Sequence, residues 1–247
     1  MAGSLAGKVA LVTGASRGLG RSVAGALAAQ GARVAVLARS RERLQEVARE
    51  VGGLAVTADV SRRDDVEAAF AQVERELGPV DLLVNNAAIL GPAEAVAEAD
   101  PEGWAATYRV NVFGTMLCCR RALAGMIERR YGKIVNVSSG AALVPIGGYT
   151  AYSSSKAAVI HLSVCLAEEV KPYGITVNSV GVWAHTAMWD EQARAPMPAV
   201  EQAMAQGWRP TVEENLGAIL FLASPASDRV TGQYLATNGL PEYVKRR

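Results

Sequence analysis

The sequence predicts an α/β chain: one domain, a Rossmann-type doubly wound, mostly parallel seven-stranded sheet with helices on both faces. Three observations predict it. Residues 8–12 are a short apolar, β-branched run of the kind buried on both faces of a sheet. The run leads through Thr13-Gly14-Ala15-Ser16-Arg17-Gly18-Leu19-Gly20 into a helical pattern over 21–30 and a second strand over 33–37, which is a βαβ unit with a Gly-rich turn. Strand and helix patterns then alternate to the end of the chain, as a parallel sheet requires.

Helices are expected over 41–51, 62–77, 102–130 and 149–173, with strands over 54–58, 80–84, 133–137 and 175–180. The helix over 102–130 carries a polar turn at Asn111 where it could break. Thr211 and Glu214 form a capping box ahead of a helix over 211–222, and a last strand covers 233–236. No linker divides the 247 residues, so 1–247 reads as one dinucleotide-binding and catalytic domain. Residues 181–210 differ: periodicity is weak, and three of the four tryptophans, Trp183, Trp189 and Trp208, fall there. A long connection of that kind reads as a substrate lid.

In such a sheet, ligands bind beyond the carboxyl ends of the strands. Thr13-Gly14, Asp59, Asn85-Asn86 and Ser138-Ser139 each end a predicted strand, so one edge is lined with hydrogen-bonding groups. The glycines follow Gly-x-x-x-Gly-x-Gly (Gly14, Gly18, Gly20) rather than Gly-x-Gly-x-x-Gly. They let the backbone approach a pyrophosphate, and the following helix N-terminus offers free N–H groups to it. Tyr152 and Lys156 are four residues apart, one helical turn, where an ammonium can lower a phenol pKa from its ordinary value near 10. Such a phenol can act as a general acid or base at neutral pH.

Composition narrows the partners. Lys and Arg number 25 against 24 Asp and Glu, a net charge of +1, which argues against nucleic acid or an anionic membrane held by bulk charge. Cys118, Cys119 and Cys165 have neither metal-ligand spacing nor an even count, so no metal site or disulfide framework is expected. With no signal-peptide layout and no run of 18 apolar residues, the chain is expected to be soluble and cytoplasmic.

Assembled in order, Thr13-Gly14-x-x-x-Gly18-x-Gly20, Asp59, Asn85-Asn86-Ala87, Asn111, Ser139, Tyr152-x-x-x-Lys156 and Thr231-Gly232 resemble the short-chain dehydrogenase/reductase family across nearly the whole chain. The resemblance implies a ketoreductase or alcohol dehydrogenase, with 3-oxoacyl-carrier reductases among the similar members. It implies that Tyr152 exchanges a proton with the substrate oxygen, Ser139 hydrogen-bonds that oxygen, Lys156 tunes Tyr152 and binds the nicotinamide ribose, and Asn111 holds a relay water. Gly14, Ser16, Arg17, Gly18, Leu19, Gly20, Asp59, Val60, Asn86, Ala87, Tyr152, Lys156 and Thr186 would contact the cofactor. The family commonly forms tetramers or dimers, here through the faces 114–123 and 157–166.

The second strand ends Val36-Leu37-Ala38-Arg39-Ser40, with no carboxylate to meet a ribose 2′-OH. Arg17 and Arg39 could both reach a 2′-phosphate, which favours NADP(H) over NAD(H). The family's Pro-Gly after the sixth strand is replaced by Gly181-Val182-Trp183, and the Asp-Gly-Gly near the end by Asn238-Gly239-Leu240. Leu143, Tyr149, Trp183 and Trp189 are expected around an apolar ketone or secondary alcohol, although lid tryptophans can equally pack lid to body. A basic group of Arg129, Arg130 and Lys133 would suit an acidic acyl carrier instead, and a catalytically silent nucleotide-binding scaffold is the rival from another class.

Overall fold

The computed structural model describes residues 4–184, 201, 205, 207 and 210–237. Seven strands form one sheet: β1 (Val9–Thr13), β2 (Arg33–Ala38), β3 (Leu54–Thr57), β4 (Leu82–Asn85), β5 (Gly132–Ser139), β6 (Ile175–Val182) and β7 (Tyr234–Ala236). Their order is β3-β2-β1-β4-β5-β6-β7 and every pairing is parallel. The chain winds outward one way from β1 to β3, then crosses back to lay β4 beside β1. That reversal leaves a crevice at the carboxyl ends of β1 and β4.

Side chains alternate across β1. Val9 and Leu11 enter one core with α3 (Arg63–Leu77), α5 (Thr115–Arg129) and α6 (Thr150–Val170). Ala10 and Val12 enter the other, with α1 (Gly18–Ala29), α2 (Arg41–Val51) and the helix Leu216–Ala223, here α7. Burial on both faces explains why the strands read as continuous apolar runs. Cys118 and Cys119 are buried in the first core, where burial lifts the Cys119 thiol to about 12. Cys118 serves there as a small apolar group, while Cys119 Sγ also accepts from Asn85 Nδ2 at 3.3 Å and donates to Asn136 Oδ1 at 3.8 Å.

The helix expected over 102–130 forms in three pieces: α4 (Pro101–Tyr108), a π-helical turn over Arg109–Gly114, and α5. Asn111 is wholly buried in that turn. Its Nδ2 donates to Ile89 O at 2.9 Å and its Oδ1 accepts from Ile89 N at 2.9 Å. A polar side chain drawn sideways onto a loop gives the wider turn a local cause. The 29-residue run Pro101–Arg129 is long and apolar enough to cross a membrane, but half of its apolar window is buried within the protein, as in a core helix.

Two boundaries differ from the sequence reading. Strand β6 continues to Val182, pairing Ser138 with Gly181 and Ser139 with Val182, so the segment expected to begin at 181 starts as strand. At its far end, the capping box forms (Thr211 N to Glu214 Oε2, 2.8 Å; Glu214 N to Thr211 Oγ1, 3.3 Å), but the first turn over Glu213–Asn215 is 3₁₀.

Helix α4 starts at an isolated cap. Asp100 accepts from Glu102 N at 3.3 Å and Gly103 N at 2.9 Å, with Pro101 at the first helical position. Replacing Asp100 with Ala should lower unfolding stability by about 1 kcal/mol. Urea denaturation checks this, and an unchanged midpoint would show that the cap is not needed.

Candidate active site

A cleft of about 400 Å³ opens at the carboxyl edge of the sheet. Its nucleotide end is the turn after β1. Gly14 has φ +65°, and a Cβ there would lie 2.7 Å from Ala87 Cα; a Cβ on Gly20 would lie 2.4 Å from Gly14 O. Only glycine fits at these two positions, because the turn is packed directly against the end of β4. Asn86 Nδ2 donates to Thr13 O and Gly14 O (3.0 and 3.1 Å), while Thr13 Oγ1 accepts from Asn86 N and Ala87 N (3.0 and 3.1 Å). Gly18, at φ +52°, has nothing within 4 Å of where a Cβ would sit, and α1 begins there. The turn therefore presents an open backbone cradle at a helix N-terminus, a fit for the pyrophosphate of a dinucleotide.

Ser16, Arg17, Leu19, Arg39, Asp59 and Val60 all line this end, as the sequence suggests. Asp59 Oδ1 accepts from Ser61 N and Oγ (2.9 and 2.7 Å), which fixes the carboxylate. Sequence reasoning missed Arg43, in the first turn of α2, which also lines the cleft. The signal was its position four residues after Arg39, just past a strand end without a carboxylate.

At the other end of the cleft, α6 docks on β5 through polar bonds. Lys156 Nζ donates to Val137 O at 2.9 Å, Ser138 Oγ donates to Lys156 O at 2.9 Å, and the Ser139 hydroxyl lies close enough to the Tyr152 phenol to lower its pKa. Ser138 and Ser139 thus do different things: one holds the helix backbone and the other meets the phenol. Lys156 Nζ sits 5.8 Å from the centroid of the Tyr152 ring. Asn111 Nδ2 donates to Ser155 Oγ at 2.9 Å, and Ser155 Oγ donates to Tyr152 O at 2.7 Å, which ties the π turn to the helical turn carrying Tyr152. Asn111 does not line the cleft among the described residues; it stands behind it.

Burial dominates the electrostatics of the protein by itself. It pushes the Tyr152 phenol above its ordinary value, against the lowering effect of the Ser139 hydrogen bond, and brings the Lys156 ammonium down to about 8. The Tyr152 shift is therefore upward, opposite in direction to the lowering expected from Lys156.

Tyr149 and Trp183 line the substrate end with Leu90, Ala141 and Ile146. Leu143 does not. The 3₁₀ turn over Gly140–Ala142 turns the chain outward, leaving Leu143 61% exposed while Ala141 and Ile146 face the cleft. Thr186 and Trp189 lie outside the described residues. The basic group offered for an acyl carrier is at the opposite edge of the sheet. Lys133 is the second residue of β5 and is ion-paired to Asp228 at 2.7 Å, Arg129 donates to Val80 O, and Arg130 donates to Pro172 O. Among the described residues, no three His, Cys, Asp or Glu side chains are grouped to hold a metal.

A doubly wound sheet with a glycine cradle and a Ser–Tyr–Lys cluster on one edge defines a nucleotide-dependent enzyme of the Rossmann class. Comparison with known proteins makes this specific. Residues 8–196 match the family model described as short chain dehydrogenase, and the chain belongs to that family. It is 35% identical to 3-oxoacyl-acyl-carrier-protein reductase FabG of Vibrio cholerae, over 96% of this chain and 98% of that protein. It is 32% identical to 2,3-dihydro-2,3-dihydroxybenzoate dehydrogenase of Bacillus subtilis, over 94% and 95%. The crystal structure of ribose-5-phosphate isomerase from Brucella melitensis 16M superposes with a TM-score of 0.88, at 35% identity, over 95% of this chain and 91% of that one. The protein is an oxidoreductase of alcohol- and ketone-type substrates in a family that uses nicotinamide cofactors.

The buried lysine has a measurable signature. Below pH 8 the folded and unfolded chains both carry its proton, and the folded state bears the cost of a buried charge. From about pH 8 to 10.5 the unfolded chain holds a proton that the folded chain lacks, so stability rises with pH. Over that window the wild type should gain on the order of 3 kcal/mol relative to Lys156→Met, read from denaturation midpoints. A difference that stays flat with pH would mean the lysine is not desolvated.

Proposed function

We propose that this chain is an NADP(H)-dependent oxidoreductase that interconverts a ketone and a secondary alcohol, with Tyr152 as general acid and base. The observation that carries the reading is the Tyr152–Ser139 hydroxyl pair beside buried Lys156, in the same cleft as the glycine cradle. When bound, the nicotinamide supplies or accepts the hydride. The rest falls to side chains. Ser139 hydrogen-bonds the substrate oxygen and holds it against the phenol. Tyr152 donates its proton to that oxygen in reduction and takes one back in oxidation. Its upward-shifted pKa keeps it protonated at neutral pH, the form reduction needs. Lys156 sits where it can stabilise the phenolate that remains and reach the nicotinamide ribose.

Asn111 serves this reading as a positioning residue and as a holder of the relay water. Both Nδ2 protons and one lone pair of Oδ1 are already used, and its carbonyl accepts from Thr115 Oγ1 at 2.8 Å. The second lone pair of Oδ1 is the place on the side chain left for a water.

The cofactor preference is argued from charge. Arg17, Arg39 and Arg43 surround the end of β2, where Ala38-Arg39-Ser40 carries no carboxylate. Guanidinium groups there would form charge-assisted bonds with a 2′-phosphate. The described substrate end is apolar apart from its hydroxyls and Lys156, which suits an uncharged ketone better than a sugar phosphate. An acyl-carrier thioester remains the second reading on the likeness to the Vibrio cholerae reductase, but the basic group expected to greet a carrier faces away from the cleft. The silent-scaffold reading loses its ground because Ser139, Tyr152 and Lys156 all meet at one place. A homo-oligomer is proposed through 114–123 and 157–166; Val164, within the second face, and Phe113, next to the first, are exposed.

Two experiments test these readings. Tyr152→Phe should lower kcat/KM on a reduced panel ketone by about 10³-fold while NADPH still binds in a fluorescence titration; substantial retained turnover would sink the assignment. Arg39→Asp should weaken NADPH by about 100-fold and leave NADH within a few-fold. Equal loss for both cofactors would remove the arginine argument.

A further inference from the structure

Trp183 is held from two directions. A Cβ built on Gly140 would lie 1.6 Å from the indole Nε1 and 1.9 Å from Cε2, so the ring rests directly on the Gly140 α-carbon. Gly140 follows Ser139, which places the indole beside the hydroxyl pair at the reacting end of the cleft. The backbone is clamped separately. Trp183 O accepts from Asn215 Nδ2 at 2.9 Å, and the same amide donates to Thr211 O at 2.7 Å. Thr237 N donates to Gly181 O at 3.0 Å, and the single Thr237 hydroxyl proton is shared between Asn215 Oδ1 and Gly181 O, both within reach of Oγ1. Asn215 is wholly buried, so these bonds are not shared with solvent. A fully satisfied buried amide of this kind fixes what it touches.

The two sides of the cleft near Ser139 therefore differ. One is Trp183, 9% exposed, seated on glycine and tied through Asn215 to Thr237, just after β7. The other is the packed group Leu90, Ala141, Tyr149 and Tyr152, with Ile146 against it. A ketone whose oxygen meets both Ser139 and Tyr152 must send one substituent to each side. We propose that Trp183 is the specificity-determining wall of the substrate site, limiting the substituent on its side to a small one, and that Asn215 is the positioning residue that holds it. The substrate class is then a prochiral, uncharged ketone with two unequal substituents, the larger lying against Leu90, Ile146 and Tyr149. This rests on the ketone reading above.

The probes are acetophenone and isobutyrophenone, which differ only in the size of the alkyl group, assayed with NADPH. Wild type should prefer acetophenone and give one alcohol enantiomer in excess. Trp183→Ala should raise the kcat/KM ratio of isobutyrophenone to acetophenone about tenfold or more and erode the enantiomeric excess, with NADPH affinity within about twofold. Asn215→Ala should move the ratio the same way by a smaller factor. Should Trp183→Ala not fold, Trp183→Leu is read in its place, with the same direction expected. Packing is tested without turnover: Gly140→Ala should lower the melting temperature much less in the Trp183→Ala background than in wild type. An active wild type with an unchanged ratio in the variants overturns the wall alone, as does an equal melting-temperature loss in both backgrounds. A wild type that reduces neither ketone overturns the ketone reading and the wall with it.

Discussion

The docking of α6 on β5 is the contact on which the site depends, and it is polar where most helix–sheet contacts here are apolar. A buried ammonium donates to Val137 O, and a strand hydroxyl, Ser138 Oγ, donates back to the helix at Lys156 O. Two opposed bonds fix both the height and the rotation of the helix over the strand. Only in that setting do Tyr152 and Ser139, from different elements, bring their hydroxyls together. The cost is a desolvated lysine, visible in its lowered pKa. A well-packed apolar residue would hold the helix without that cost, so the lysine is better explained by what it does beside the phenol.

Supports for this junction come from distant parts of the chain. The π turn sends Asn111 onto the Ile89 backbone and, through Ser155, to the turn bearing Tyr152. Thr13 and Asn86 lock the glycine turn to the end of β4. Each is a buried or half-buried polar group whose hydrogen bonds cross between elements, so the cradle and the proton-transfer cluster share one frame. The substrate end follows another rule. It is built from aromatic and aliphatic packing on a glycine, with one buried amide holding the wall, so shape rather than charge sets what fits there.

The glycine spacing, the strand-end polar groups and the Tyr152/Lys156 spacing are local patterns, legible because periodicity and residue type encode them directly. The capping box at Thr211 and Glu214 was legible for the same reason. Leu143, expected at the substrate end, is exposed after a 3₁₀ turn and is not among the described residues lining the cleft, and no periodicity marks so short a turn. Arg43 was passed over because a helix-surface arginine looks like any solvated charge until its helix is placed beside the cleft.

By itself the sequence determined the fold class, the order of the elements and the chemistry available at the strand ends, since each follows from spacing along the chain. Tertiary structure alone decided which face each polar group serves. It separated Ser138 from Ser139, committed Asn111 to Ile89, moved the Arg129–Lys133 group to the far edge, and seated Trp183 on Gly140. Those outcomes depend on contacts between residues tens of positions apart, and only the packed sheet, with its crossovers and register, brings such residues within reach of one another.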